Sequence, residues 1–298
     1  MTPDASLNQQ SPTRLERRRL GPFTVAPVGF GAMRLTGPGG FGPPRDRAAV
    51  IALLREAVDR GVDHIDTAQY YGPDVVNELI REALHPYDPG LVLVSKVGAR
   101  RDSRGDTFIY DQPKQLRQGI EDNLRTLGVS QLGVVNLRLA RITPPDAHFD
   151  DQLAAMISAR DDGLIRAIGL SNVTLAHLLH ALRETEVACV QNAFNLADRS
   201  SQPVLDECTR RGIAFVPFAP LASGASGQGS VLGGPQLARI AARLGCTPAQ
   251  VALAWALAVA PNVLLIPGTT STIHLQENLA ASTIHLDADA LQQLADLS

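Results

Sequence analysis
Aromatic side chains are scarce in this chain: only 4% of its 298 residues are Phe, Trp or Tyr, with a single Trp. Since 45% of the chain is hydrophobic, a large core must be built from Leu, Val, Ile and Ala. Cysteine is scarce as well. Cys189, Cys208 and Cys246 stand far apart, which makes neither a disulfide framework nor a metal motif; free thiols suit a reducing cytosol, and no metal ligand set is expected. No charge of one sign dominates. The 27 basic and 30 acidic residues give a net −3, which excludes an electrostatic nucleic-acid binder. The one dense basic run, Arg17-Arg18-Arg19, reads as a solvated strand edge. No apolar run reaches the roughly 18 residues that span a bilayer; 251–259 is too short. The first sixteen residues are polar, with no apolar stretch, so no signal peptide is expected. The expectation is a soluble, cytoplasmic protein without membrane or nucleic-acid partners, a monomer or homo-oligomer.

Residues 1–13 read as a disordered tail and 14–298 as one domain. The stretch 15–25 reads as a small hairpin turning at Gly21-Pro22. Apolar runs then precede helical patterns in strict alternation: 28–31 before 46–60, 62–65 before 75–84, 91–94 before 114–127, and 132–139 before 152–160. The second half repeats this with 165–170 before 175–182, 187–190 before 204–211, 213–218 before 236–244, and 263–266 before 274–281. The runs are continuously apolar, as strands buried on both faces are. Gly61, Gly128, Gly163, Gly212 and Gly245 follow helices as C-terminal caps. Eight β/α units in series predict an α/β fold, a (β/α)8 TIM barrel with an N-terminal β-hairpin. A doubly wound dinucleotide fold would need G-x-G-x-x-G after its first strand, and Gly29-Phe30-Gly31-Ala32-Met33-Arg34 is not that motif.

Barrel enzymes carry their sites on the loops after the strands, where Asp66, Tyr71, Lys96, Arg138, Ser171, Asn172, Gln191, Phe218 and Gly268 all fall. Asp, Tyr and Lys there are the parts of a phenolic proton donor. A free phenol has a pKa of about 10; a nearby ammonium is expected to lower it, with a carboxylate holding that ammonium in place.

The ordered set Asp66-Thr67-Ala68, Tyr71-Gly72, Ser95-Lys96, Gly169-Leu170-Ser171-Asn172, Gln191-Asn192, Phe218-Ala219-Pro220-Leu221, Ile266-Pro267-Gly268 and Glu277-Asn278 resembles the aldo-keto reductase family. The likeness runs from Arg17 to Ala281, with an affinity to bacterial pyridoxal reductases. It implies an NADPH-dependent reductase of an aldehyde or ketone, pyridoxal being the first candidate, with Tyr71 as proton donor tuned by Asp66 and Lys96. The family's strand-four His is replaced by Arg138, whose fork of donors suits a developing oxyanion or a substrate phosphate or carboxylate. Asn136, one layer deeper, is expected to be a structural partner.

The resemblance also implies cofactor contacts: Ser171, Asn172 and Gln191 on the nicotinamide carboxamide, Phe218 stacked on its ring, and Leu221 beside it. The stretch 222–234 would lie over the pyrophosphate. Gly268, Thr269, Thr270, Ser271 and His274 would receive the 2′-phosphate at a helix N-terminus, and Glu277 and Asn278 the adenine. Met33, Tyr70, Phe108 and Tyr110 are expected to line the substrate pocket, with 100–112 as a mobile lid. Arg34, Arg100 and Arg101 read either as solvated rim residues or as attractors of an acidic substrate. The same family contains cofactor-binding regulatory subunits with little turnover, which is the rival reading. A lyase or isomerase using the same rim is a third.

Overall fold
The computed structural model describes residues 17–221 and 231–297, so the tail expected over 1–13 lies outside the described residues. Strands β1 (Arg18–Leu20) and β2 (Phe23–Val25) form the expected antiparallel hairpin. Gly21 takes φ +57° in its turn, and a Cβ there would come within 2.6 Å of the Ala188 Cβ, so this tight seating admits only glycine. Leu20 and Val25 join Val92, Val94, Val134, Ala167 and Ala188 in one apolar cluster. The hairpin thus plugs the barrel at the starts of its strands. Its basic run is not uniformly solvated. Strand alternation exposes Arg17 and Arg19 and turns Arg18 inward, where it donates to the carbonyls of Leu257 and Val263.

The barrel strands are β3 (Phe30–Gly31), β4 (His64–Asp66), β5 (Val92–Arg101), then, past a short outer strand β6 (Thr107–Tyr110), β7 (Leu132–Arg138), β8 (Ile165–Ser171), β9 (Cys189–Gln191) and β10 (Ala214–Phe215). Apart from β6 they pair in parallel, each with the next. Parallel bridges Phe215–Val263 and Val28–Leu265 supply the eighth position and close the ring. The expected (β/α)8 barrel is the observed one.

Helices α1 (Arg47–Asp59), α2 (Val75–Leu84), α3 (Pro113–Leu127), α4 (Ala147–Asp161), α5 (Leu175–Glu184), α6 (Gln202–Arg211) and α7 (Pro235–Leu244) cover the ring, followed by α8 (Pro248–Val259), α9 (Thr272–Ala280) and α10 (Ala288–Ala295). The five glycines expected as caps all have positive φ. Two helices have no counterpart in the sequence reading. α8 is buried from Val251 through Leu257, so it presents no polar stripe and no amphipathic period. α10 lies beyond the last predicted element. Among the described residues no single helix is long and apolar enough to cross a membrane.

The segment 100–112 departs from the expected lid. β6 pairs antiparallel with the end of β5, Ala99 opposite Ile109 and Arg101 opposite Thr107. Backbone pairing makes it an ordered hairpin standing on the barrel rim.

Candidate active site
Register brings the polar residues together. Asp66 ends β4, Lys96 stands two residues past Val94, which pairs with Asp66, and Gln191 ends β9. The Lys96 ammonium donates to Asp66 Oδ1 and, at 3.1 Å, to the carbonyl of Thr67. Gln191 Nε2 donates to Asp66 Oδ2 at 2.6 Å. Both members of the ion pair are buried, so the pair is held by geometry rather than screened by water. Gln191 has given its donor to Asp66, and its buried Oε1 has no partner among the described residues. A buried acceptor left open at the head of a cleft calls for an N–H from a ligand.

Tyr71 is presented by the turn after β4, its N–H donating to the Ala68 carbonyl and Gly72 following at φ +84°. Lys96 Nζ lies 5.2 Å from the centroid of the Tyr71 ring. Tyr70 packs edge-on against Tyr71 at 5.3 Å. The expected lowering of the Tyr71 pKa is not what this environment produces. Burial pushes the phenol well above its ordinary value and the Asp66 carboxylate adds to that, while Arg138 and Arg101 pull it down by less. The physical reason is that the Lys96 charge is already matched by Asp66, so desolvation of the phenolate dominates. Tyr71 is therefore held as a neutral O–H, the form that donates.

These residues line a cleft of about 470 Å³ together with Met33, Arg34, Tyr70, Arg101, Thr107, Arg138, Phe218, Leu221 and Gly268. Arg138 ends β7, its guanidinium 5.6 Å from the Phe218 ring centroid and 3.4 Å from Ser171 Oγ, to which it donates. Asn136, one layer below, donates to the Ser95 carbonyl and accepts from the Cys189 thiol, the structural part expected of it.

Several expected site residues are placed elsewhere. Phe108 and Tyr110 do not line the cleft. On β6 the alternation sends Thr107 toward it and turns Phe108 and Tyr110 to the other face, where they pack together at 6.2 Å and Tyr110 lies under Arg100. Arg100 likewise turns away and pairs with Asp122. Ser171 is fully buried behind Arg138, and the Asn172 side-chain amide donates to the Leu139 carbonyl at 2.7 Å, beside a neighbouring cleft. At the far end, Thr269 is buried and bonded to the N–H of Ser271, which caps α9 by accepting from the N–H of His274. Thr270 and His274 are exposed there, with Glu277 half-buried and Asn278 buried. The 222–230 part of the loop expected over the pyrophosphate lies outside the described residues.

The sequence reading missed a buried network beneath the site. Thr67 Oγ1 donates to Asn77 Oδ1 at 2.8 Å, and Asn77 Nδ2 donates to Asn123 Oδ1 and Thr126 Oγ1, each at 2.9 Å. Ser95 Oγ also donates to Asn123 Oδ1. It ties the residues next to Asp66 and Lys96 to α2 and α3. Asparagines on apolar helix faces are the signal that would have found it.

Residues 27–298 match the Aldo/keto reductase family. A pyridoxine 4-dehydrogenase of Escherichia coli is 45% identical over 94% of this chain and 97% of its own length. Among solved structures, a thermostable aldo-keto reductase bound to the inhibitor epalrestat is 28% identical with a TM-score of 0.79, over 95% of this chain and 99% of that one. An aldo/keto reductase of Klebsiella pneumoniae in complex with NADP and acetate is 26% identical with a TM-score of 0.78, over 94% and 95%. The chain belongs to the aldo/keto reductase family.

Proposed function
We propose that the protein is an NADP(H)-dependent reductase of a small aldehyde or ketone, with pyridoxal as the first candidate substrate and Tyr71 as proton donor. The observation that carries this reading is a neutral Tyr71 beside the buried Lys96–Asp66 pair inside one cleft. The open Oε1 of Gln191 fits the amide N–H of a nicotinamide carboxamide, and the Phe218 ring beside it offers a stacking face. Gly268, Thr269, Thr270, Ser271 and His274 stand at the N-terminus of α9, where a phosphate is favoured, and Glu277 and Asn278 lie farther along the same helix. The pyridine substrate is suggested by the Escherichia coli relative's activity, and the cofactor by the Klebsiella pneumoniae complex.

When bound, the nicotinamide supplies hydride to the substrate carbonyl. Tyr71 then donates its Oη proton to the carbonyl oxygen. Arg138 faces the same space and stabilises negative charge as it develops on that oxygen. The phenolate left behind is met by Arg138, the cation that draws most on the Tyr71 hydroxyl. Asp66 and Gln191 keep Lys96 fixed throughout.

The test is NADPH consumption with pyridoxal and a panel of aldehydes, ketones and quinones. Tyr71→Phe should lose about 10²- to 10⁴-fold in turnover while still quenching Trp255 fluorescence on binding NADPH. Full activity in that variant removes Tyr71 from its role. Tight NADPH binding by a wild type that turns over nothing shifts the reading to a cofactor-binding regulatory subunit.

A further inference from the structure
The cleft holds more cationic charge than the proton transfer uses. Arg101 ends β5 and lines the cleft with Arg138. Its Nη1 donates to the carbonyls of Gly39 at 3.0 Å and Gly105 at 3.4 Å, which fixes the guanidinium between two loops. Its Nε is buried and has no partner among the described residues. Neither Arg101 nor Arg138 forms an ion pair with a carboxylate among the described residues, whereas their neighbour Arg100 pairs with Asp122. The one acid lining the cleft, Asp66, is occupied by Lys96 and Gln191. Two guanidiniums without a carboxylate partner, in a cleft walled by Met33, Tyr70, Phe218 and Leu221, include one buried donor, Arg101 Nε, that is left unmatched. A planar guanidinium with free N–H groups is built to hold an oxyanion.

We infer that Arg101 is a specificity residue that binds an oxyanion on the substrate, so that the preferred substrate is a carbonyl compound carrying a carboxylate, a phosphate or an ionised ring hydroxyl. This rests on the reductase reading and narrows it. Arg138 lines the cleft with Tyr71 and is assigned to the carbonyl oxygen, which leaves Arg101 for the second anionic group. Arg101, Arg138 and Tyr71 line one cleft of about 470 Å³, so the oxyanion and the reacting carbonyl belong to one small molecule. The ionised phenolic hydroxyl of pyridoxal, on the carbon next to the one bearing its aldehyde, falls in this class.

The experiment compares kcat/KM for 4-carboxybenzaldehyde with that for its methyl ester, in wild type, Arg101→Met and Arg101→Lys. Wild type should prefer the anion by about tenfold or more, the size of one charge-assisted hydrogen bond. The ratio should fall toward one in Arg101→Met, chiefly through KM, and be partly restored in Arg101→Lys. A wild-type ratio near one, or the same ratio in wild type and Arg101→Met, overturns the assignment. So does an unaltered ratio accompanied by weakened NADPH binding, which would give Arg101 to a cofactor phosphate. Should no aldehyde turn over, the reductase reading fails, and titration calorimetry with terephthalate decides the anion site alone. Binding weakened about tenfold by Arg101→Met upholds the site; equal or absent binding overturns it.

Discussion

Lys96→Met isolates what the buried ion pair does for the fold. The substitution keeps the apolar stem but removes the ammonium, and with it the bond to the Thr67 carbonyl and the cation over the Tyr71 ring. Asp66 is left with the Gln191 Nε2 donor alone. The two side chains are 7% and 4% exposed, so the orphaned carboxylate is poorly solvated. Removing one partner of a buried pair costs about 3–5 kcal/mol. Because both side chains face the cleft and Gln191 stays in place, the low end, about 3 kcal/mol, is expected. That is a fall of roughly 6–12 °C in Tm for a chain of this size. The double variant Lys96→Met/Asp66→Asn has no stranded charge and keeps an acceptor for Gln191, so it should regain about 1–2 kcal/mol over the single variant. Urea unfolding followed by far-UV circular dichroism, with midpoints compared at a common slope, gives both differences. A single variant within about 0.5 kcal/mol of wild type would show that the pair is effectively solvated. A double variant no more stable than the single would place the cost in lost packing and refute the charge argument.

Other consequences follow from local geometry. Gly98→Ala sets a Cβ within 2.2 Å of the Arg138 carbonyl at a residue with φ +111°, so the β5–β7 register beside Arg138 breaks; a loss above about 3 kcal/mol, or insolubility, is expected on urea titration or expression. Asn77→Ala leaves Thr67, Asn123 and Thr126 with unmatched polar groups and should cost about 2–4 kcal/mol, with a lower kcat because Asp66 and Lys96 lose their backing. Arg138→His should keep reduction within about tenfold if Arg138 serves the carbonyl oxygen; steady-state kinetics with a neutral aldehyde reads this out, and abolished turnover would give it a substrate-holding role instead. The raised Tyr71 pKa sets the sign of the pH dependence. The donating form is the protonated phenol, present below the raised value, so reduction should show no Tyr71-linked loss between about pH 7 and 10. Alcohol oxidation, which needs the phenolate, should rise over the same range. A reductive rate that falls with a midpoint near neutrality would contradict the burial argument.

The barrel was legible because its strands are two-sided: the runs from 28–31 through 263–266 carry almost no polar residue until their C-terminal ends, and those ends are where Asp66, Lys96, Arg138 and Gln191 stand. What failed had no periodic signal or hung on parity. Helix α8 is apolar on every face, so its pattern is that of a core segment and not of a surface helix. Phe108 and Tyr110 fall on a rim loop, which by itself points to the pocket, yet a strand shows alternate residues to opposite faces. Pairing Arg101 with Thr107 commits Phe108 and Tyr110 to the side of Arg100. One residue of register separates an aromatic pocket wall from an outer face.

The same distinction explains the phenol. Composition and spacing name an ammonium near a tyrosine, from which a lowered pKa follows only if that charge is free to act. Here the ammonium is matched by Asp66 at contact, and the Asp66 carboxylate adds to the burial that opposes a Tyr71 phenolate. Desolvation then outweighs the pull of Arg138 and Arg101, neither of which pairs with a carboxylate among the described residues. An oxyanion bound by Arg101 would screen one of them and raise the Tyr71 pKa further. Substrate charge and proton donation are thereby coupled. An acidic substrate makes its own proton donor more firmly protonated, while a neutral one leaves both guanidiniums acting on the phenol.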